Sequence, residues 1–334
     1  MNHSTRPTTA MPSPSRRLLL CAALCAAAFA HAAPAATWPT KPVTIVVPYP
    51  AGGSADAMVR PIAEKLARLW GQPVVVDNRT GANGIIATQL VMRAEPDGHT
   101  VLLHLTGFIQ NASLYRKLPY DPFSDLAPVT QLGTQPMGLA VGNASPYTSV
   151  GALLAGLKSG TTPPSYGSFG AGSTGHIFGE LLKASAGVDL PHVPYRGEGP
   201  MLIDLISGRV TTGFVSSATA AARHKDRSLR ILAVTGPHRL ASLPEVPTLT
   251  ESGLPGYELV GWYGLFLPKG APAAVVQKIA ADARSVIGQS DIAARLRELE
   301  IEPTGTTPVE FARLLRADHA RWDALIKKFR IELE

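Results

Sequence analysis

The chain has 334 residues, 45% of them hydrophobic and 17% charged, with a formal net charge of +6. That is the balance of a globular protein with room for two domains. Its basic residues are dispersed, so no nucleic-acid patch is marked, and its two cysteines, Cys21 and Cys25, fall within the first 32 residues, which leaves the remainder without disulfides or thiolate metal sites.

In chain order, a polar stretch from Asn2 to Pro14 precedes Arg16 and Arg17, an alanine-rich apolar run over 18–30, and the small-x-small sequence Ala30-His31-Ala32. This pattern predicts a secretory signal peptide over 1–32, cleaved near Ala32, and a periplasmic mature protein. The apolar run is shorter than the about 20 residues a membrane span needs. The paired arginines leave both the Sec and the twin-arginine route open. Residues 1–32 carry three arginines and no acid, so the mature chain has a balance of +3.

Val43–Val47 reads as a strand, and Ser54 is placed to cap a helix with Met58, Ile62, Leu66 and Leu69 at helical spacing. Val74–Val76, Ile85–Met92 and Thr100–Leu105 continue as strand, helix and strand. The β-α-β-α-β order predicts parallel strands, whose loops after Val47 and Val76 emerge at the carboxyl edge where open α/β sheets bind ligands. The pattern restarts near Gly151. A helix over Val150–Leu157 leads to a short polar strand at Ser165–Ser168 and a helix over Ile177–Ala186. A strand end at Val193–Tyr195, a helix over Met201–Ile206, and strands at Val210–Val215 and Leu229–Thr235 complete this second unit. An apolar stretch, Val260–Leu267, carries the chain back. Two amphipathic helices follow, one over Ala273–Ile287 and one opened by the capping box Thr307-Pro308-Val309-Glu310, with Phe311, Leu315, Trp322, Leu325, Ile326 and Phe329 on one face. With no strand expected beyond them, these helices should pack on the first domain. The predicted fold is α/β: two doubly wound domains joined by a two-segment hinge, with lobe 1 formed by 33–138 and 260–334 and lobe 2 by 139–259.

Four glycine-rich stretches lie in this frame: Pro48–Asp56, Asn78–Gly84, Ser168–His176 and Pro194–Pro200. A glycine-rich turn leading into a helix leaves free N–H groups at the positive end of the helix dipole, a site for a carboxylate or other small anion. Ser173 and Thr174 can cap the helix near His176 and offer hydroxyls to a ligand. Asp56 can bond the loop N–H groups or receive a ligand ammonium. His176 can face an anion or brace its loop, and Arg196 can clamp a carboxylate or face solvent. Asp121 and Asp125 read as turn formers. Gly170–Gly175 matches G-x-G-x-x-G but follows no buried apolar strand, so it does not mark a nucleotide site. Ala171–Gly175 nearly matches a nucleophile elbow. An alternative is therefore a secreted serine hydrolase with Ser173 as nucleophile, a base among His192, His224 and His238, and Asp189 or Asp204 to orient it. No H-E-x-x-H, histidine cluster or Walker loop is present, so neither a metal nor a cofactor is expected.

These stretches, taken in order with Pro96–Gly98, Leu118–Pro122, Val193–Gly197, Asp204-Leu205 with Gly208, Leu243–Thr248 and Trp262, resemble the tripartite tricarboxylate transporter substrate-binding proteins, also called the Bug family. The resemblance covers essentially the whole mature chain. It implies a two-lobed periplasmic binding protein of type II-like architecture that closes on a small carboxylate (a di- or tricarboxylate, an acidic amino acid or an aromatic carboxylate), with no catalysis. It implies delivery of that ligand to the membrane subunits of a tripartite transporter, or to a sensor, and it implies a monomer. Carried over residue by residue, the ligand-binding set is Tyr49, Ala51, Gly52, Gly53, Ser54 and Asp56 from one lobe. From the other it is Ser168, Gly172, Ser173, Thr174, His176, Tyr195, Arg196 and Gly197, with Thr106 and Asn111 at the floor. Two departures stand out: Thr80 where the family usually has proline, and Thr211 where an aspartate commonly follows Gly-x-Val.

Overall fold

The computed structural model describes residues 38–159 and 163–333. The signal peptide over 1–32, its cleavage at Ala32 and both cysteines lie outside the described residues. From Val43 onward, β-branched runs alternate with amphipathic segments. Val43–Val47 (β1), Ser54–Trp70 (α1), Val74–Asn78 (β2), Ile85–Met92 (α2), Thr100–Leu105 (β3) and Gly107–Leu114 (α3) lead to the long strand Leu126–Gln135 (β4). Met137–Gly142 (β5), Val150–Ser159 (α4), Tyr166–Ser168 (β6), Thr174–Ala186 (α5), His192–Pro194 (β7), Glu198–Ile206 (α6), Thr212–Ser216 (β8), Ser217–Lys225 (α7) and Leu229–Val234 (β9) follow. The chain ends with Gly261–Pro268 (β10), Ala273–Ile287 (α8), Ser290–Glu298 (α9), Glu302–Pro303 (β11) and Pro308–Phe329 (α10).

Two sheets result. The six-stranded one runs β11-β4-β10-β3-β1-β2, with β1, β2 and β3 parallel as expected and β10 antiparallel between β3 and β4. The five-stranded one runs β7-β6-β8-β5-β9, with β6, β7 and β8 parallel and β5 antiparallel among them. The chain passes from the first sheet to the second at Pro136 and returns between Val234 and Gly261. This is the two-lobed α/β architecture, joined through two segments, that the sequence pattern predicts.

β1 is buried on both faces, which is why Val43, Ile45, Val46 and Val47 form a nearly unbroken apolar run. α1 buries Met58, Ile62 and Leu66 but leaves Leu69 exposed. It is capped by Gly53, not Ser54. Ser54 is its first residue, and the Oγ lies 3.1 Å from the Tyr263 phenol.

The pair β4–β5 departs from expectation. Pro128, Gly133, Pro136 and Gly138 interrupt the apolar pattern there, yet Pro128 is accommodated where the β10 pairing shifts register. Helices α3, α7 and α9 were likewise not foreseen, and the two-residue β11 pairs with β4 just before α10. α8 and α10 pack on the first sheet as expected. α10 also reaches the second lobe, where the Trp322 ring lies 5.3 Å from Phe178 of α5. One apolar core is therefore continuous through both lobes.

Candidate functional site

A cavity of about 410 Å³ opens between the sheets, at the carboxyl ends of β1, β3, β6 and β8 and at the Gln135–Met137 crossing. Five helices begin at its walls: α1 at Gly53 and Ser54, α3 at Thr106, α5 at Ser173 and Thr174, α6 at Gly197, and α7 at Ser216. Their positive dipole ends converge on one space. In α1 the first intrahelical bond is Ala57 N–H to Gly53 O at 2.9 Å, so the amides of Ser54 and Ala55 have no partner among the described residues. In α5 the first such bond is Ile177 N–H to Ser173 O at 3.0 Å, which leaves the Thr174 and Gly175 amides in the same condition.

Of the expected binding residues, Tyr49, Gly53, Ser54, Thr106, Gly172, Ser173, Thr174 and Gly197 line the cavity. Several of the others brace the loops that carry these. Asp56 is almost wholly buried and accepts from Gly52 N–H (2.9 Å), from Arg60 through both oxygens (2.8 and 2.7 Å) and from Asn78 Nδ2 (3.0 Å). The Arg60 bond above all holds its carboxyl at about 2, well below the usual range. All its acceptor sites serve the loop, so no room remains for a ligand ammonium. Ala51 and Gly52 are exposed and are not among the cavity-lining residues. Asn111 is buried and donates to Asn83 O (3.1 Å), and through this bond it fixes the cavity-lining Asn83, whose φ is 51°.

On the second lobe, Ser173 Oγ accepts from His176 N–H (3.3 Å) and donates to Gly170 O (2.6 Å). His176 Nδ1 accepts from Gly172 N–H (3.0 Å). Gly172 has φ 73°, and a side chain there would meet Leu333 and Leu114. Behind the loop, His176 stacks on His192 with centroids 3.9 Å apart, and His192 Nε2 lies 2.7 Å from the fully buried Ser168 Oγ. Tyr195 donates its hydroxyl to Asp204 (2.8 Å), and Arg196 is exposed and is not among the residues that line the cavity.

Among the described residues no histidine ring nitrogen bonds to Ser173. His224 accepts from Ile231 N–H, and Asp204 is bonded to Tyr195 and Arg209. The constellation drawn for a hydrolase is thus dispersed. Thr211 Oγ1 accepts from Ser165 N–H (3.1 Å), tying together the residues that lead into β6 and β8. Thr80 is exposed just past β2.

Residues that the sequence did not single out complete the walls, notably Gln110, Gln135, Phe169 and Glu198. Gln110 Nε2 donates across the cavity to Thr174 Oγ1 (3.2 Å). The Tyr263 phenol donates to Gln135 Oε1 (2.6 Å). Burial, with the nearby Glu198 charge adding, pushes that phenol up to about 12.

Two lobes hinged over a cleft of helix N-termini define a periplasmic solute-binding protein, and solved structures agree. R. palustris Rpa4515 with adipate is 36% identical with a TM-score of 0.82, over 89% of this chain and 100% of that one. The periplasmic binding protein BugD is 30% identical with a TM-score of 0.79, with the same coverage. Residues 58–331 match the tripartite tricarboxylate transporter family receptor, and the chain belongs to that family. A curated relative, the UPF0065 protein in the tcbD-tcbE intergenic region of Pseudomonas sp. (strain P51), is 39% identical over 295 residues, 88% of each chain.

Proposed function

We propose that this receptor captures a small carboxylate between lobes formed by 33–138 with 260–334 and by 139–259, without a catalytic step. It then delivers the ligand, as a monomer, to the membrane subunits of a tripartite transporter or to a sensor. The observation that carries this reading is the convergence of five helix N-termini on one cavity, with the amides of Ser54, Ala55, Thr174 and Gly175 unpartnered among the described residues. A carboxylate there would accept charge-assisted bonds from amides already in position, and lobe closure would strengthen them by excluding water. The adipate on the R. palustris relative supports a carboxylate as the anchoring group.

The test is native mass spectrometry of gently purified protein, followed by a thermal-shift screen of small carboxylates. A carboxylate at a hundred times its dissociation constant should add about 2.7 kcal/mol of stability. Replacing Gly53 and Ser173 by leucine should abolish that shift. Undiminished binding in the double variant would remove the site from consideration.

A further inference from the structure

Glu198 is the one charged side chain among the described residues that line the cavity; the lining holds no lysine, arginine or histidine. Its carboxylate is fixed. Oε1 accepts from Ser216 N–H at 2.6 Å, and Oε2 accepts from Ser216 Oγ and Thr219 Oγ1, each at 3.0 Å. These are the donors at the start of α7, so the protein's own carboxylate fills the anion-binding position that this helix end would otherwise offer. No ion pair with Glu198 occurs among the described residues, and the nearest polar neighbours are committed elsewhere. Tyr263 bonds Gln135, and Gln135 Nε2 donates to Leu299 O at 3.3 Å. Glu198 shares the cavity with the α1 N-terminus, whose Gly53, Ser54 and Ala55 line the same space.

We propose that Glu198 determines specificity, and that the ligand is an aminocarboxylate whose carboxylate meets the α1 amides and whose cationic group meets Glu198, to the exclusion of dicarboxylates. This rests on the carboxylate reading above. A ligand ammonium supplies the counter-charge the cavity lacks, and a second ligand carboxylate would confront a fixed like charge whose surrounding donors are already taken.

The test is calorimetric titration of the full mature protein with paired probes of matched length. These are succinate against 4-aminobutanoate, adipate against 6-aminohexanoate, the pairs between and beyond, and terephthalate against 4-(aminomethyl)benzoate. Wild type should prefer the amino member of the pair that fits by about tenfold or more, and Glu198→Gln should erase or reverse that preference. Glu198→Asp should retain its sign. Circular dichroism melts report whether each variant is folded, and the wild-type preference stands as a test without any variant. Equal or tighter binding of the dicarboxylate by wild type, unchanged in Glu198→Gln, overturns the role of Glu198 and leaves the carboxylate receptor intact. Failure of every probe, with either end group, overturns both.

Discussion

His176 and His192, stacked 3.9 Å apart behind the ligand loop, can coexist comfortably only without charge. Burial pushes both below their ordinary 6.5, His192 to about 4 with the neighbouring His176 adding. The unfolded chain therefore binds protons that the native chain refuses in this interval, so stability rises with pH across it. Urea midpoints should be level above pH 6.5 and fall as the pH drops toward 4. His192→Gln should flatten that slope. Asp56 titrates lower, between 3.8 and about 2, and its depressed value makes stability fall further in that more acidic window. The loop glycines and Ser173 were legible from spacing. The histidine stack was not, because His176 and His192 meet only through the parallel pairing of β6 with β7.

At the scale of elements, the pieces that declared themselves were those whose local chemistry and packing agree. The C-terminal helix α10 is an example: Thr307 Oγ1 accepts from Glu310 N–H (3.3 Å), Glu310 Oε2 accepts from Thr307 N–H (2.8 Å), and Phe311, Leu315, Trp322 and Ile326 are buried. Thr307→Ala should cost about 1 kcal/mol in urea denaturation. β1, α2, β3 and α8 were equally plain. β4 and β5 were hidden by prolines and glycines that long-range pairing overrides, and α7 by an alanine-rich sequence with a weak apolar stripe. The cavity walls were half legible for a related reason. Glycine turns announce themselves locally, whereas Gln110, Gln135 and Glu198 read as ordinary polar residues until distant elements bring them together.

Across the whole molecule, the lobes are coupled by more than their two connecting segments. Trp322 of α10 is fully buried and rests on Phe178 of the second lobe, so Trp322→Ala should cost about 3–5 kcal/mol. Because the core is continuous, circular dichroism and tryptophan fluorescence should report one shared midpoint in that variant's denaturation. The order of the first sheet has a further consequence, for assembly. β3 and β4 are made early, but the strand that joins them, β10, begins only at Gly261. Until then β3 and β4 keep unmatched edges and the first lobe is unfinished, and such distant pairing is slow to form. A polypeptide built this way keeps its first lobe open and threadable until the return strand has been made.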